Sequence, residues 1–486
     1  MSSTRAARSS TRRSWPGSPG RQRSQALATE WNTDMATLLM VESWLHSTGL
    51  CLPPIIRRLG HEYILFTKDP ALYPPISPGE PHPVIRDARE IVVVDTNDDD
   101  ATCAAASALA GKRRIDGVLT TCDYYLATVA TLARLLELPG APPDVMRLAT
   151  QKHLVRAALD GAGLPNPAFA VAADWHDARA AAARIGTPLI AKPVDLNAGT
   201  AVERICDEAG LKDAFWGVNS AERNTRGQPL RRLLLMEERL EGEEVSVEAL
   251  TFKGLTTIIG ITDKSLTAPP ACVESGHMFP ARLSPDIARQ VETFAVDALD
   301  AIGFTHGLSH IEVMITADGP RIVEINPRQG GGYIFDLVHL VTGIHPLEML
   351  VDLALGQMPA LDSRVNAASL DRVAAGDGGQ RMAGSVEGAT TGLPGSAAVF
   401  FVMSPRDGVV SHVSGVERLD ADPRVHRWAL PTPATARRPR DNDAYLGHVL
   451  TVDPAGDGAR VRAEELVAAL RLHFADGETT PPLIAP

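Results

Sequence analysis

The run His310-Ile-Glu-Val-Met-Ile315, then Thr316-Ala-Asp-Gly-Pro320, then Arg321-Ile-Val-Glu-Ile-Asn-Pro327 predicts two apolar-rich strands joined by a turn containing Asp318-Gly319. If the turn is centred on Asp318, Glu312 lies directly opposite Glu324, and Asn326, two residues on, shares their face. A two-residue turn between Asp318 and Gly319 would put the glutamates on opposite faces, so a loop of odd length is expected. Two carboxylates ~5 Å apart repel by about 3 kcal/mol at an effective dielectric of ~20. Ile311, Val313, Val323 and Ile325 flank them, and like charges placed opposite one another destabilise a sheet. A shared cation with the Asn326 amide oxygen as a third hard ligand relieves that cost, and such oxygen ligands suit Mg²⁺. Glu312, Glu324 and Asn326 are therefore candidate metal ligands, the alternative being a polar strand face turned to solvent. The spacing of His306 and His310 on or beside a strand says little for zinc.

With 486 residues the chain is too long for one ordinary core and predicts two to four domains. A formal charge of −12 argues against a general binder of nucleic acid or anionic membrane, yet leaves room for a local phosphate site. The longest apolar runs, such as Ala397 to Met403, fall far short of a membrane span. Cys51, Cys103, Cys122, Cys206 and Cys272 are scattered, which suits reduced thiols in the cytoplasm and offers no zinc framework. Residues 1–34 are rich in Arg and Ser and contain no acid before Glu30. They read as a disordered tail that could reflect an early start codon, with Met35 opening the folded protein.

From Met35 onward, short apolar strands alternate with helices. Strands are expected at Met35 to Val41, Glu62 to Phe66, Ile91 to Val94 and Gly117 to Thr120. A helix capped near Ser47 to Gly49 would run to Leu59, and further helices cover Ala101 to Ala110 and Asp123 to Leu136. This alternation predicts a parallel α/β sheet. A helix around Gln151 to Leu159 and strands at Thr187 to Lys192 and Leu233 to Glu237 follow, then a strand at Ile258 to Thr262 and a helix from Pro285 to Ala301. Ala367 to Ser396 reads as linker, and the last part combines short strands with an amphipathic helix at Val461 to Phe474.

Lys192 ends a buried strand and is followed by the small-residue loop Asp195-Leu-Asn-Ala-Gly-Thr200, which can bring backbone N–H groups to phosphate. Lys152, near the start of its helix, is a second candidate cation. In Leu233-Leu-Leu-Met-Glu-Glu-Arg-Leu240 a strand enters a polar turn whose backbone, from Glu237 to Leu240, could meet a flat base edge. The carboxylate of Glu244 could accept from ribose hydroxyls. An exposed acidic turn accounts equally well for Glu241 and Glu243.

Taken in order, Lys152, Lys192 with its loop, Met236-Glu237-Glu238-Arg239-Leu240, Glu244, Glu312 and Glu324-Ile-Asn-Pro-Arg328 resemble the ATP-grasp superfamily over roughly Met35 to Met358. The resemblance implies that Lys152, Lys192, Gly199 and Thr200 bind phosphates. It also implies that Glu237, Glu238 and Leu240 hold adenine, that Glu244 binds ribose, and that Arg328 steadies the phosphate and acyl oxygens. ATP with Mg²⁺ (Mn²⁺ as a substitute) would be the cofactors. Thr120-Thr-Cys-Asp-Tyr124, Glu274-Ser-Gly-His-Met-Phe-Pro280 and Arg328-Gln-Gly-Gly-Gly-Tyr333 look most like segments of the bacterial L-amino acid (dipeptide) ligases. By that resemblance Glu274, His277, Arg328, Gly331, Gly332 and Tyr333 line the substrate pocket.

The implied fold is α/β. Residues 35–146 form an N-terminal parallel domain, 147–247 a mobile ATP lid, 248–365 a central antiparallel-sheet domain, and 366–486 a linker with a C-terminal α+β extension. The implied activity joins a small-molecule carboxylate to an amine through an acyl phosphate, giving an amide or dipeptide, ADP and phosphate. Secondary metabolism is the expected setting, and a homodimer is compatible with it. Two alternatives stay open: an ATP-grasp carboxylase or ligase of a non-amino-acid substrate, and a nucleotide-binding regulatory protein without catalysis.

Overall fold

The computed structural model describes residues 35–267, 273–361 and 393–484. The expected tail, Cys272 and most of the expected linker lie outside these residues.

The N-terminal sheet contains β1 (Thr37–Val41), β2 (Glu62–Thr67), β3 (Glu90–Val93) and β4 (Gly117–Leu119), all parallel, in the order β3-β2-β1-β4. Every residue of β1 is buried, as a parallel strand covered on both faces requires. The helix Asp99–Ala110 begins where Asp98 accepts a hydrogen bond from the Ala101 N–H. The helix Thr48–Arg58 forms, but Ser47 does not cap it: its backbone is left-handed (φ 51°), and its buried hydroxyl finds no partner.

A second sheet contains β5 (Phe169–Ala172), β6 (Leu189–Pro193), β7 (Glu203–Ile205) and β8 (Leu234–Glu238), in the order β5-β8-β6-β7. The helices Trp175–Ile185 and Glu208–Ser220 pack on it through Ala178, Leu211, Ala214 and Phe215.

The central strands are β9 (Glu243–Phe252), β10 (Leu255–Leu266), β11 (Glu274–Phe279), β12 (Gly307–Thr316) and β13 (Gly319–Asn326). The C-terminal region adds β14 (Ser396–Met403), β15 (Gly408–Ser414), β16 (Val425–Ala429), β17 (Ala434–Ala436), β18 (Tyr445–Asp453), β19 (Arg471–Phe474) and β20 (Thr479–Thr480). Three of these continue the central sheet, whose order is β13-β12-β9-β10-β11-β14-β18-β16. The remainder form a small sheet, β17-β15-β19-β20. The sequence reading expects a helix through Phe474, whereas the helix ends at Ala469 and Arg471–Phe474 is a strand. Pairing with β15 takes over there, and Leu472 and Phe474 enter the core at strand period.

On one face of the eight-stranded sheet lie the helices Pro285–Ala301 and Ala459–Ala469. On the other lie Ile334–Thr342 and Pro346–Ala354, against Phe279, Val399 and Phe401. Among the described residues no single helix is long and apolar enough to cross a membrane.

Candidate active site

The hairpin is antiparallel, and Glu312 does lie opposite Glu324, with His310 opposite Asn326. The route to that register differs from the expected odd loop. Thr316 pairs with Gly319, so only Ala317 and Asp318 connect the strands. A bulge then shifts the register between Glu312 and Val313: Val313 pairs with Ile322, and Val323 is the extra residue. The bulge supplies the one-residue offset that the turn does not, and it returns both glutamates to one face.

That face continues across the sheet. Glu312 is opposite Ser246 and His310 opposite Glu248 on β9; Ser246 is opposite Thr262 on β10; and Lys264 is opposite His277 on β11. The buried Lys264 ammonium contacts Glu244 (2.7 Å), Glu274 (2.9 Å) and Glu312 (3.2 Å). His310 donates from Nδ1 to the Glu248 carboxylate (2.8 Å) and places Nε2 3.5 Å from Glu312. Lys152 Nζ is 3.1 Å from Glu324 and donates to the Leu196 carbonyl at 2.5 Å.

Burial opposes the charge on Lys264, yet its three carboxylates hold the ammonium well above the ordinary lysine range. One lysine cannot neutralise three acids. Burial and Glu312 therefore push Glu244 up despite Lys264, while Lys264 and His310 overcome burial to hold Glu312 down at about 2. His310 is raised to about 9 because Glu248 and Glu312 outweigh its burial. Five carboxylates (Glu244, Glu248, Glu274, Glu312 and Glu324) thus share three cations (Lys264, His310 and Lys152). That imbalance on a largely buried face fits a divalent cation among oxygen ligands.

The second sheet supplies another cation cluster. Glu237, the fourth of the five residues of β8, is paired through its backbone to both β5 and β6. Its buried carboxylate accepts from Arg156 Nε (2.6 Å) and contacts Lys192 Nζ (2.8 Å). These two cations overcome burial and hold Glu237 at about 2. The Glu237 side chain thus sets Lys192, while its backbone takes part in the strand pairing. Glu238 is exposed at the end of β8, its N–H bonded to the Ala168 carbonyl, and Leu240 follows in the turn. Gly199 is left-handed (φ 68°), while the Thr200 N–H donates to the Asn197 carbonyl.

Arg328 is partly buried and hydrogen-bonded to Asp123 from the N-terminal region, and its Nη1 donates to the Gln329 carbonyl at 2.8 Å. His277 is buried on β11, with Nε2 3.6 Å from Glu274. Gly331 follows Arg328 closely, and a side chain at Gly332 would come within 2.8 Å of His277 Nε2. Tyr333 is left-handed (φ 66°) and stands against His448 (4.3 Å between centroids) and the Arg427 guanidinium (4.8 Å). A cavity of about 420 Å³ is lined by Lys152, Arg156, Glu237, Glu324, Asn326 and Asp123, among others, a size within the usual range for small-molecule sites.

The structure thus gathers Glu244, Glu274, Glu312 and Glu324 with their cations on one sheet face, and Lys192 with Glu237 on the other sheet. Sequence reasoning missed Lys264, His310, Arg156 and Asp123. Lys264 carried no clear signal, since Asp263 and Ser265 on either side of it are polar as well and hide any alternation.

Three family descriptions match the chain: an ATP-grasp N-terminal domain over residues 56–140, an ATP-grasp domain over 185–336, and L-amino acid ligase C-terminal domain 2 over 400–475. The chain is 32% identical over 264 residues to carnosine synthase 1 of Gallus gallus, a match covering 52% of this chain and 28% of that protein. It is 25% identical over 253 residues to the alanine–anticapsin ligase of Bacillus subtilis strain 168, covering 49% of this chain and 53% of the relative. These named relatives are therefore matched over about half of their length or less. The fold aligns with the crystal structure of an L-amino acid ligase from Bacillus licheniformis at a TM-score of 0.70 and 20% identity, covering 90% of this chain and 98% of that one. The chain therefore contains an ATP-grasp N-terminal domain, an ATP-grasp domain and the C-terminal domain 2 of the L-amino acid ligases.

Proposed function

We propose that this protein is an ATP-dependent, ADP-forming carbon–nitrogen ligase that activates an amino acid or related acid as an acyl phosphate and transfers the acyl group to an amine. The observation that carries this reading is the facing pair Glu312 and Glu324 on a sheet face where five carboxylates share three cations. Glu312, Glu324 and Asn326 would hold Mg²⁺. When bound, the ion would screen the charge on the phosphate oxygens.

In the first step a substrate carboxylate oxygen attacks the γ-phosphorus of ATP; the new O–P bond forms as the bond to the ADP oxygen breaks. Such transfer is governed by positioning and charge stabilisation. Lys152 and Lys192 would meet the phosphates, the latter steadied by its ion pair with Glu237. Arg328, fixed by Asp123, would steady the transferring group and the acyl oxygen. In the second step the amine nitrogen attacks the acyl carbon, the tetrahedral intermediate expels phosphate, and the nitrogen loses its proton. Among the described residues no protein nucleophile is required. Glu238 and Leu240 would meet adenine and Glu244 the ribose, while Glu274, His277 and Tyr333 would bound the amino-acid pocket. The four described cysteines are free thiols, which supports a reducing compartment.

The test is phosphate release from ATP across all pairs in an amino-acid and amine panel, followed by product mass. Hydroxylamine in place of the amine should trap the activated acid as a hydroxamate. AMP and pyrophosphate as products would sink the acyl-phosphate route, and bicarbonate-dependent turnover would point to a carboxylase.

A further inference from the structure

The C-terminal region does more than extend the central sheet. Between β17 and β18 the chain makes a tight turn at Asn442–Ala444, where Asp441 accepts from the Asp443 N–H (3.1 Å) and is held by Arg437 (2.6 Å). From this turn Asn442 Nδ2 donates to Glu274 Oε2 at 2.9 Å. The hydroxyl of Tyr445, three residues on, donates to the Glu274 carbonyl at 3.0 Å. The Tyr445 ring is stacked on Phe401 (3.9 Å between centroids), which meets His277 edge-on. Glu274 is thus gripped from two sides: Lys264 takes Oε1 at 2.9 Å and Asn442 takes Oε2.

The same residue reaches the other side of the cleft. The Asn442 backbone N–H donates to the carbonyl of Ala198 at 3.4 Å. Ala198 and Gly199, both left-handed (φ 57° and 68°), form the bend of the loop between β6 and β7. One residue from the C-terminal region therefore joins the candidate phosphate loop to an acid of the candidate amino-acid pocket.

We propose that Asn442 is a positioning residue that couples closure of the 195–200 loop to occupancy of the pocket at Glu274. This rests on the reading of Glu274 as a pocket residue. A substrate ammonium arriving at Glu274 competes for Oε2 and moves the Asn442 side chain. The rigid turn passes that movement to the backbone N–H that holds Ala198. One long hydrogen bond shifts a loop equilibrium only several-fold. That strength suits a sensor, since the loop must also open to release ADP. The device would keep ATP from reacting before both substrates are seated, limiting loss of the acyl phosphate to water.

The test compares wild type with Asn442→Ala and Tyr445→Phe. In the nucleotide-free protein, hydrogen exchange over residues 195–202 should be about 3- to 10-fold faster in Asn442→Ala than in wild type, and unchanged in Tyr445→Phe. In turnover, Asn442→Ala should raise the phosphate released per amide formed and raise KM for the amino acid about 3- to 10-fold, with a smaller change for ATP. Equal loop exchange in wild type and Asn442→Ala overturns the proposal whether or not the protein turns over. So does faster exchange accompanied by a wild-type phosphate-to-amide ratio. If exchange responds as expected but wild type joins no acid to any amine, the ligase reading fails while the tie between turn and loop stands.

Discussion

Two regions of this molecule bury carboxylates, and they do so in opposite ways. At the end of β1, Glu42 is fully buried and accepts from the Tyr73 hydroxyl (2.5 Å), the Lys68 N–H (2.7 Å), the Thr96 hydroxyl (2.8 Å) and the Thr67 hydroxyl (3.0 Å). All four donors are neutral groups of the N-terminal region, so the hydrogen bonds of this carboxylate are made within that region. On the central sheet, Glu244, Glu274 and Glu312 share one lysine. Burial alone therefore does not mark a carboxylate as functional. The mark is a charge balance that the protein leaves incomplete.

The sharpest way to break this comparison is to remove one charge from each region. Glu324→Gln should lower turnover by at least ~1000-fold, in the range seen when a key group of preorganised charge stabilisation is lost. Its metal-free unfolding midpoint in urea should match wild type or rise slightly, because a like-charge contact disappears. Glu42→Gln should do the reverse. It replaces an acceptor-only group with one that carries donors among four donors, costing about 2–4 kcal/mol of stability. Its activity per folded molecule should survive. If Glu324→Gln unfolds, or Glu42→Gln loses activity while remaining folded, the division into functional and structural carboxylates collapses.

A second contrast separates the group that meets substrate from the one that holds it. Arg328→Ala should lower kcat by at least ~100-fold, with a smaller effect on ATP affinity. Asp123→Asn keeps the shape of the partner but weakens its hold on the guanidinium, and a loss of about 10-fold is expected. Hydroxamate formation from hydroxylamine measures both without requiring the natural amine. A larger loss in Asp123→Asn than in Arg328→Ala would reverse their roles.

The pair Glu312 and Glu324 was legible because apolar alternation, a Gly-containing turn and two in-strand glutamates left few arrangements. The offset behind their register was not, since nothing about Val323 distinguishes a bulged residue from a paired one. Lys192 was legible as a strand-end cation, but Arg156, the second cation on Glu237, lies on a helix, where an arginine reads as solvated. The union of β14, β16 and β18 with the central sheet was hidden because β11 and β14, which pair directly, are separated in sequence by the acidic hairpin and three described helices. Non-local pairing of that kind leaves no periodic trace. The Asp123–Arg328 contact was hidden for the same reason.

The smallest expected effect concerns acid, and it distinguishes buried charge from buried neutrality. Glu237 is held at about 2 by Arg156 and Lys192 against its burial, so the stability it contributes is full above its unfolded range and fades only below about pH 4.5. His448 and His345 are buried neutral. Burial and Arg427 lower His448 to about 3, and burial and His339 lower His345 to about 4. Both folded values lie below that of an unfolded histidine, so the unfolded chain takes up protons first as pH falls through about 6.5, and stability declines from there. Each should cost ~1–2 kcal/mol between pH 6.5 and 5, from 1.36 kcal/mol per pKa unit. Asp352 works in the other direction, since burial and Glu348 raise it to about 6 and its folded form gains a proton first. The net slope therefore understates the histidines, and single variants are needed to isolate them. His345→Asn keeps the side-chain cap that accepts from the Leu347 N–H, and His448→Phe keeps a ring against Tyr333. Urea unfolding at pH 7 and pH 5 should show a smaller loss in each variant than in wild type. Equal losses in all three proteins would mean that the two rings are not held neutral. The region beneath Tyr333 would then respond to acid in the same way as the charged sheet face beside it.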